Sequence, residues 1–227
     1  MSSEVERRDR RRRRTTWILT SLVLAGCAAF LVIAVIVSNS WWAQDDPAPS
    51  ADQQAPNGTS VFTPAGVDYL TRSGVARIDV RPDSLTAAEQ GLASDGVQQV
   101  ATRVPVRVEL VAPDGEISVG LVSEMEFETA GDRLRAVRIV SGASGTWTRA
   151  ISGLEHSAQQ WGWPASEVAR VRDEITAAAG TAEGTVTNSL PRIEVAGIMM
   201  SAEIVLDLDA PRTTVTYSVD PVESVDE

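Results

Sequence analysis

Three glutamates, Glu124, Glu126 and Glu128, recur at every second position of a predicted strand. Alternate residues of a strand share a face, so the three carboxylates point the same way. Such a row has the chemistry to hold a calcium ion or to supply the acid and base of glycoside hydrolysis. It also suits a solvated face whose charges pair across strands with Arg107, Arg133 or Arg135. The second reading is preferred, because exposed strand charges keep a sheet soluble and guard its edges. Asp207 and Asp209 read the same way.

His156 is the single histidine. A helix over 147–161 puts Ile151, Leu154, Ala158 and Trp161 on one side and His156 on the other, which reads as a solvated imidazole. One histidine excludes sites needing two imidazoles, and with them most zinc hydrolases. Gly142-Ala143-Ser144-Gly145 starts like a nucleophile elbow, but Thr146 stands where the final glycine belongs. No lysine occurs anywhere, which removes phosphate-binding loops of the Gly-Lys type and Schiff-base chemistry. No catalytic residue, metal ligand or cofactor is assigned.

Trp147, Trp161 and Trp163 form the more distinctive group. Indoles along a groove stack on sugars or anchor a partner protein, whereas at a helix corner they plug a core. Trp161 is in phase with the buried helix face, so Trp147 and Trp163 are the candidates for ligand or partner contact.

These residues need elements to position them. Val104, Val106, Val108 and Leu110 alternate with polar residues and predict a strand, which turns at Pro113-Asp114-Gly115 into a second one carrying Met125 and Phe127. A second hairpin is predicted from Ile204-Leu206-Leu208 to Val215-Tyr217-Val219, with shorter strands at 75–81 and 132–141. Helices are expected over 84–101, over 147–161, and from Pro164 to Gly180. The expected fold is therefore α+β: an antiparallel meander of hairpins packed by helices, including an αα-hairpin, and preceded by one transmembrane helix.

That last element rests on Trp17–Val37, which carries no charge and as a helix would span roughly 30 Å. Arg10, Arg11, Arg12, Arg13 and Arg14 precede it, and Trp17, Trp41 and Trp42 flank it as interfacial indoles would. The layout predicts a basic cytoplasmic tail at 1–16, a signal-anchor span at 17–38, a disordered Pro/Ala/Asp/Gln linker at 39–60, an extracytoplasmic domain at 61–219 and an acidic tail at 220–227. Leu24-Ala25-Gly26-Cys27 also matches a lipobox, which makes Cys27 a candidate for lipidation; the apolar run continuing past it favours an uncleaved span. Ser21, Ala25 and Ala29 make a small-residue stripe.

The net charge of -11 hides a basic head and an acidic body, which argues against nucleic-acid binding. The sequence thus reads as a single-pass protein of the bacterial cell membrane, N-terminus inside. Its expected role is non-enzymatic: a binding or accessory subunit that meets another envelope protein or its own copy. The alternative is an envelope-glycan-binding module or carboxylate-based glycan hydrolase.

Overall fold

A computed structural model of the chain describes residues 23, 25–34, 48–142, 144–210 and 212–221. It divides into two compact units, Met1–Ala48 and Pro49–Glu227.

In the first unit, residues 23 and 25–34 are helical. Among the described residues no helix is long and apolar enough to cross a membrane. Residues 25–34 span roughly 15 Å at 1.5 Å per residue, half the hydrocarbon thickness. This finding overturns the expected transmembrane signal anchor, and with it the assignment to a cell membrane with the two ends on opposite sides. Arg10 to Arg14, Trp17, Trp41 and Trp42 lie outside the described residues.

The second unit is built on one seven-stranded sheet. Its strands are β1 (Val75–Asp79), β2 (Gly96–Ala112), β3 (Gly115–Ala130), β4 (Arg133–Ser141), β5 (Thr185–Val195), β6 (Ile198–Asp207) and β7 (Arg212–Pro221). Its helices are α1 (Pro64–Ser73), α2 (Trp147–Trp161) and α3 (Ala165–Ala179). The strand order is β1-β2-β3-β4-β7-β6-β5. All pairs are antiparallel except β1 with β2, which is parallel. The expected antiparallel meander is thus corrected to a mixed sheet. The parallel pair arises because α1 and Gly74 deliver β1 alongside Arg107–Val111, after which a long connection leads into β2 from its far end.

Two further segments depart from the sequence reading. Residues 84–95 are turns and 96–101 belong to β2, where a helix over 84–101 was expected. Gly91 and Gly96 have φ of 72° and 106°, which a right-handed helix cannot contain. Residues 50–60 are turns and bridges with Ala55, Thr59 and Ser60 buried, and Ser60 N donates to Arg77 O at 2.8 Å.

Side chains sort by face. Val100, Val106, Val108, Leu110, Met125, Phe127, Val137, Ile139, Tyr217, Ile204 and Met200 face a core closed by the helices. Leu154 of α2 and Val171 and Ile175 of α3 complete it. The opposite face carries Glu124, Glu126, Arg138, Thr216, Ser218, Ser201 and Glu203. Register shifts between Ala101 and Val106 on β2, and between Val122 and Glu124 on β3, bend the long hairpin at one level. Beyond the bend its tip reaches the β5–β6 turn: Asp114 N donates to Ala196 O at 3.1 Å, and Pro113 lies against Gly197. That turn has φ of 49° at Ala196 and 77° at Gly197, the pair of positive angles a tight hairpin requires.

Candidate functional site

The tryptophans come first, since they carried the ligand expectation. Trp163 follows the left-handed Gly162 that separates α2 from α3, and it is only 3% exposed. Its Nε1 donates to Pro191 O of β5 at 2.8 Å. Trp161 stands edge-on to Tyr217 at 4.7 Å and to Trp163 at 5.7 Å between ring centres. Tyr217 OH donates to Ser157 Oγ at 2.8 Å, and burial pushes its hydroxyl pKa up from the ordinary value. Trp147 is half-buried against the core. The indoles thus pin the helix corner to the sheet and leave no aromatic platform facing solvent.

The glutamate row divides. Arg138 of β4 takes Glu126 and, at 3.8 Å, Glu128, while Glu124 stands exposed beside Val140. The hydrogen bond that Arg138 donates to Glu126 is the main cause of the raised Arg138 pKa. Among the described residues no three His, Cys, Asp or Glu groups stand close enough to hold a metal ion. His156 is exposed on α2, and Cys27 is an exposed free thiol. Ser144 is structural, its Oγ accepting from Val215 N at 3.0 Å while Gly145 bridges to Thr213.

One buried carboxylate escaped the sequence reading. Asp79 ends β1 with its side chain fully buried, and Arg81 grips both oxygens at 2.9 and 2.6 Å. The backbone N–H of Arg81 adds a third bond at 3.2 Å. The Asp-x-Arg spacing was a readable signal, but its burial was not. This fork ties the end of β1 to its own turn, and the bonds donated to Asp79 raise the guanidinium pKa.

Two depressions lie on the surface. A groove of about 580 Å³ runs between α2 and α3 over Ala158, Trp163, Ala165 and Val168, with Glu155 and Arg172 paired at 3.6 Å across its rim. A shallow trough of about 720 Å³ crosses the outer face of β5 and β6, lined by Thr187, Ser189, Ser201, Glu203 and Ser218.

A third surface stands out by composition. Among the described residues of the second unit the exposed large hydrophobic residues are Val97 (60%), Val104 (49%) and Leu121 (59%), all on the β2–β3 hairpin. β1 pairs with β2 only over Arg107–Val111, so the stretch before it has β3 on one side and no strand on the other. The bare stretch is bounded. Thr102 Oγ1 takes the Val104 carbonyl at 2.8 Å, and Pro105 has no N–H to offer. Arg103 is exposed and makes no ion pair among the described residues. Sequence reasoning missed this site because it took residues up to 101 for a helix.

No protein-family model matches this chain, and no curated protein or solved structure matches it either.

Proposed function

We propose that the chain is a non-enzymatic binding domain that docks another polypeptide along the bare flank of β2. The observation that carries this reading is that Val97 and Val104 stand exposed at the two ends of a stretch of β2 that no strand pairs on its outer side. An unpaired strand presents a row of backbone donors and acceptors that a second strand can take up, and exposed apolar residues beside it add buried area. Supporting it, of the glutamates that suggested acid–base chemistry, Glu126 is paired with Arg138 and Glu128 lies 3.8 Å from the same guanidinium. The tryptophans that suggested sugar stacking are spent on packing.

The test is site-specific photo-crosslinking in cells that make the full chain. A benzophenone side chain introduced at position 97 or 104 is expected to trap a protein adduct, while the same probe at Ser152, exposed on α2, traps none. Equal yields at the three positions, or no adduct at 97 and 104, would sink the proposal.

A further inference from the structure

β1 is an edge strand of the sheet, and its outer side is guarded by a turn. Ser60 exchanges two bonds with Arg77 across that edge: Ser60 N donates to Arg77 O and Arg77 N to Ser60 Oγ, both at 2.8 Å. Ahead of Ser60 the chain doubles back on itself, with Gln54 bridged to Ser60 around Pro56-Asn57-Gly58. Ala55 N donates to Thr59 O and Gly58 N to Ala55 O, each at 2.9 Å, and Gly58 has φ of 80°. A tight three-residue hairpin loop ends on such a left-handed residue.

Asn-Gly is also the least hindered place for an asparagine to react with its own backbone, because glycine has no Cβ to obstruct its nitrogen. The Gly58 nitrogen gives up its proton and attacks Cγ of Asn57. A C–N bond forms, ammonia leaves, and a five-membered imide results. Water then opens the ring at either carbonyl, leaving aspartate or isoaspartate with no change of oxidation state.

Asn57 is exposed, but the folded turn holds both reacting groups. Its Oδ1 accepts from Thr59 N at 3.1 Å and from Thr59 Oγ1 at 2.6 Å, and its Nδ2 reaches Asp79 Oδ2 at 3.5 Å. The attacking nitrogen is bonded to Ala55 O. We infer that Asn57 is a deamidation site that the fold keeps closed: the imide forms when the Gln54–Ser60 turn leaves β1, and the carboxylate it yields then hinders the turn from returning. The second half follows from what the new charge meets. The nitrogen that is lost faces Asp79, whose side chain is fully buried and whose oxygens are taken by Arg81. Arg77, which passes close to Gly58, is already paired with Glu116. Like charges brought together beside a buried carboxylate repel, and no further cation stands by to offset them among the described contacts. The reaction is therefore a one-way record of how often the edge of β1 has been uncovered, and it is independent of the β2 flank.

The experiment incubates the full chain in mildly alkaline buffer, with and without denaturing urea, and follows Asn57 by peptide mass mapping. Deamidation is expected to be at least about tenfold slower in the folded protein, since only the opened turn reacts. Ser60→Ala removes the acceptor for Arg77 N, keeps the Asn-Gly sequence, and should raise the folded-state rate about threefold or more. Tyr217→Phe, which weakens the sheet away from this turn, should leave that rate unchanged. Asn57→Asp keeps an oxygen for Thr59 and adds the charge alone, and is expected to speed hydrogen exchange at the Arg77 N–H about tenfold. No modification in urea overturns the site. Equal rates with and without urea, or a folded-state rate that Ser60→Ala and Tyr217→Phe change alike, overturn the gate. Unchanged exchange in Asn57→Asp overturns the one-way record.

Discussion

Along β5, the outward carbonyls of Ser189 and Pro191 are taken by Arg170 Nη2 at 3.3 Å and Trp163 Nε1 at 2.8 Å. Along β2, from Val97 to Arg103, no side chain does the same for the backbone. Both strands border solvent, and both contain or abut a proline, Pro191 in one and Pro105 in the other. The difference lies in what packs beside them. β5 runs under α3, which supplies Arg170 and lets Glu174 accept from Asn188 at 2.7 Å. The Asn188 amide, then the Arg170 guanidinium, hold the Glu174 carboxyl below its ordinary pKa. β2 has α1 packed against it, but among the described residues no α1 side chain bonds the β2 backbone between Val97 and Arg103. An edge is closed by donors delivered from a neighbouring helix, and where the helix delivers none, the edge stays available.

Breaking the closed edge should have the largest effect. Trp163→Ala removes a buried indole and uncaps Pro191, and is expected to cost about 3–5 kcal/mol of unfolding free energy, measured by urea titration. The surviving folded protein should also begin to associate through β5. Arg81→Met comes next. It leaves the buried Asp79 with its backbone donor but without the guanidinium fork, at a cost of about 1–3 kcal/mol. It also loosens β1 from β2, so hydrogen exchange should rise at Glu109 and Val111, whose backbone faces β1. Tyr217→Phe is smaller, about 1 kcal/mol, since Trp161 keeps its ring contact and only the hydroxyl bond is lost. Its pH dependence has a definite sign. Burial raises the folded-state pKa above the unfolded value of about 10, so the neutral phenol favours the folded state fully below pH 10. That stability is lost as pH rises from there towards the folded-state pKa, and the substituted protein should show a flatter alkaline profile. Val97→Lys should change unfolding free energy least, within about 0.5 kcal/mol, because the side chain is 60% exposed. A larger loss there would mean that the bare flank supports the fold and is not held in reserve.

The elements most legible in the sequence were those whose burial repeats locally. Val106-Val108-Leu110 and Val215-Tyr217-Val219 alternate cleanly, and their strands lie where period two puts them. β5 was not legible, because Pro191 and a register shift between Leu190 and Ile193 interrupt an alternation that buries only Leu190 fully. α1 was missed although Thr63-Pro64 and Gly74 mark its two ends; Thr63 Oγ1 accepts from Gly66 N at 3.1 Å. Its apolar stripe is short, and only Gly66 and Leu70 are buried. The parallel β1–β2 pairing is set by neighbours far apart in the chain, which periodicity does not encode. The same holds for the site. The expectation of an exposed Trp163 failed because its acceptor, Pro191, lies 28 residues away.

The contact between the β2–β3 tip and the β5–β6 turn has a consequence for how the chain folds. Asp114 and Ala196 are turn residues of two hairpins that stand on opposite sides of β4 and β7 in the order, yet their backbones are bonded. Each hairpin can form from its own neighbours, but this meeting cannot precede the curvature of the whole sheet. Closing a loop of that length costs chain entropy without an immediate return, and folds dominated by such contacts acquire their structure slowly. The seam between the two turns is therefore the last part of the sheet to lock on refolding. The proposed docking flank of β2 lies in the hairpin on one side of that seam, so that flank is expected to form before the sheet around it has finished closing.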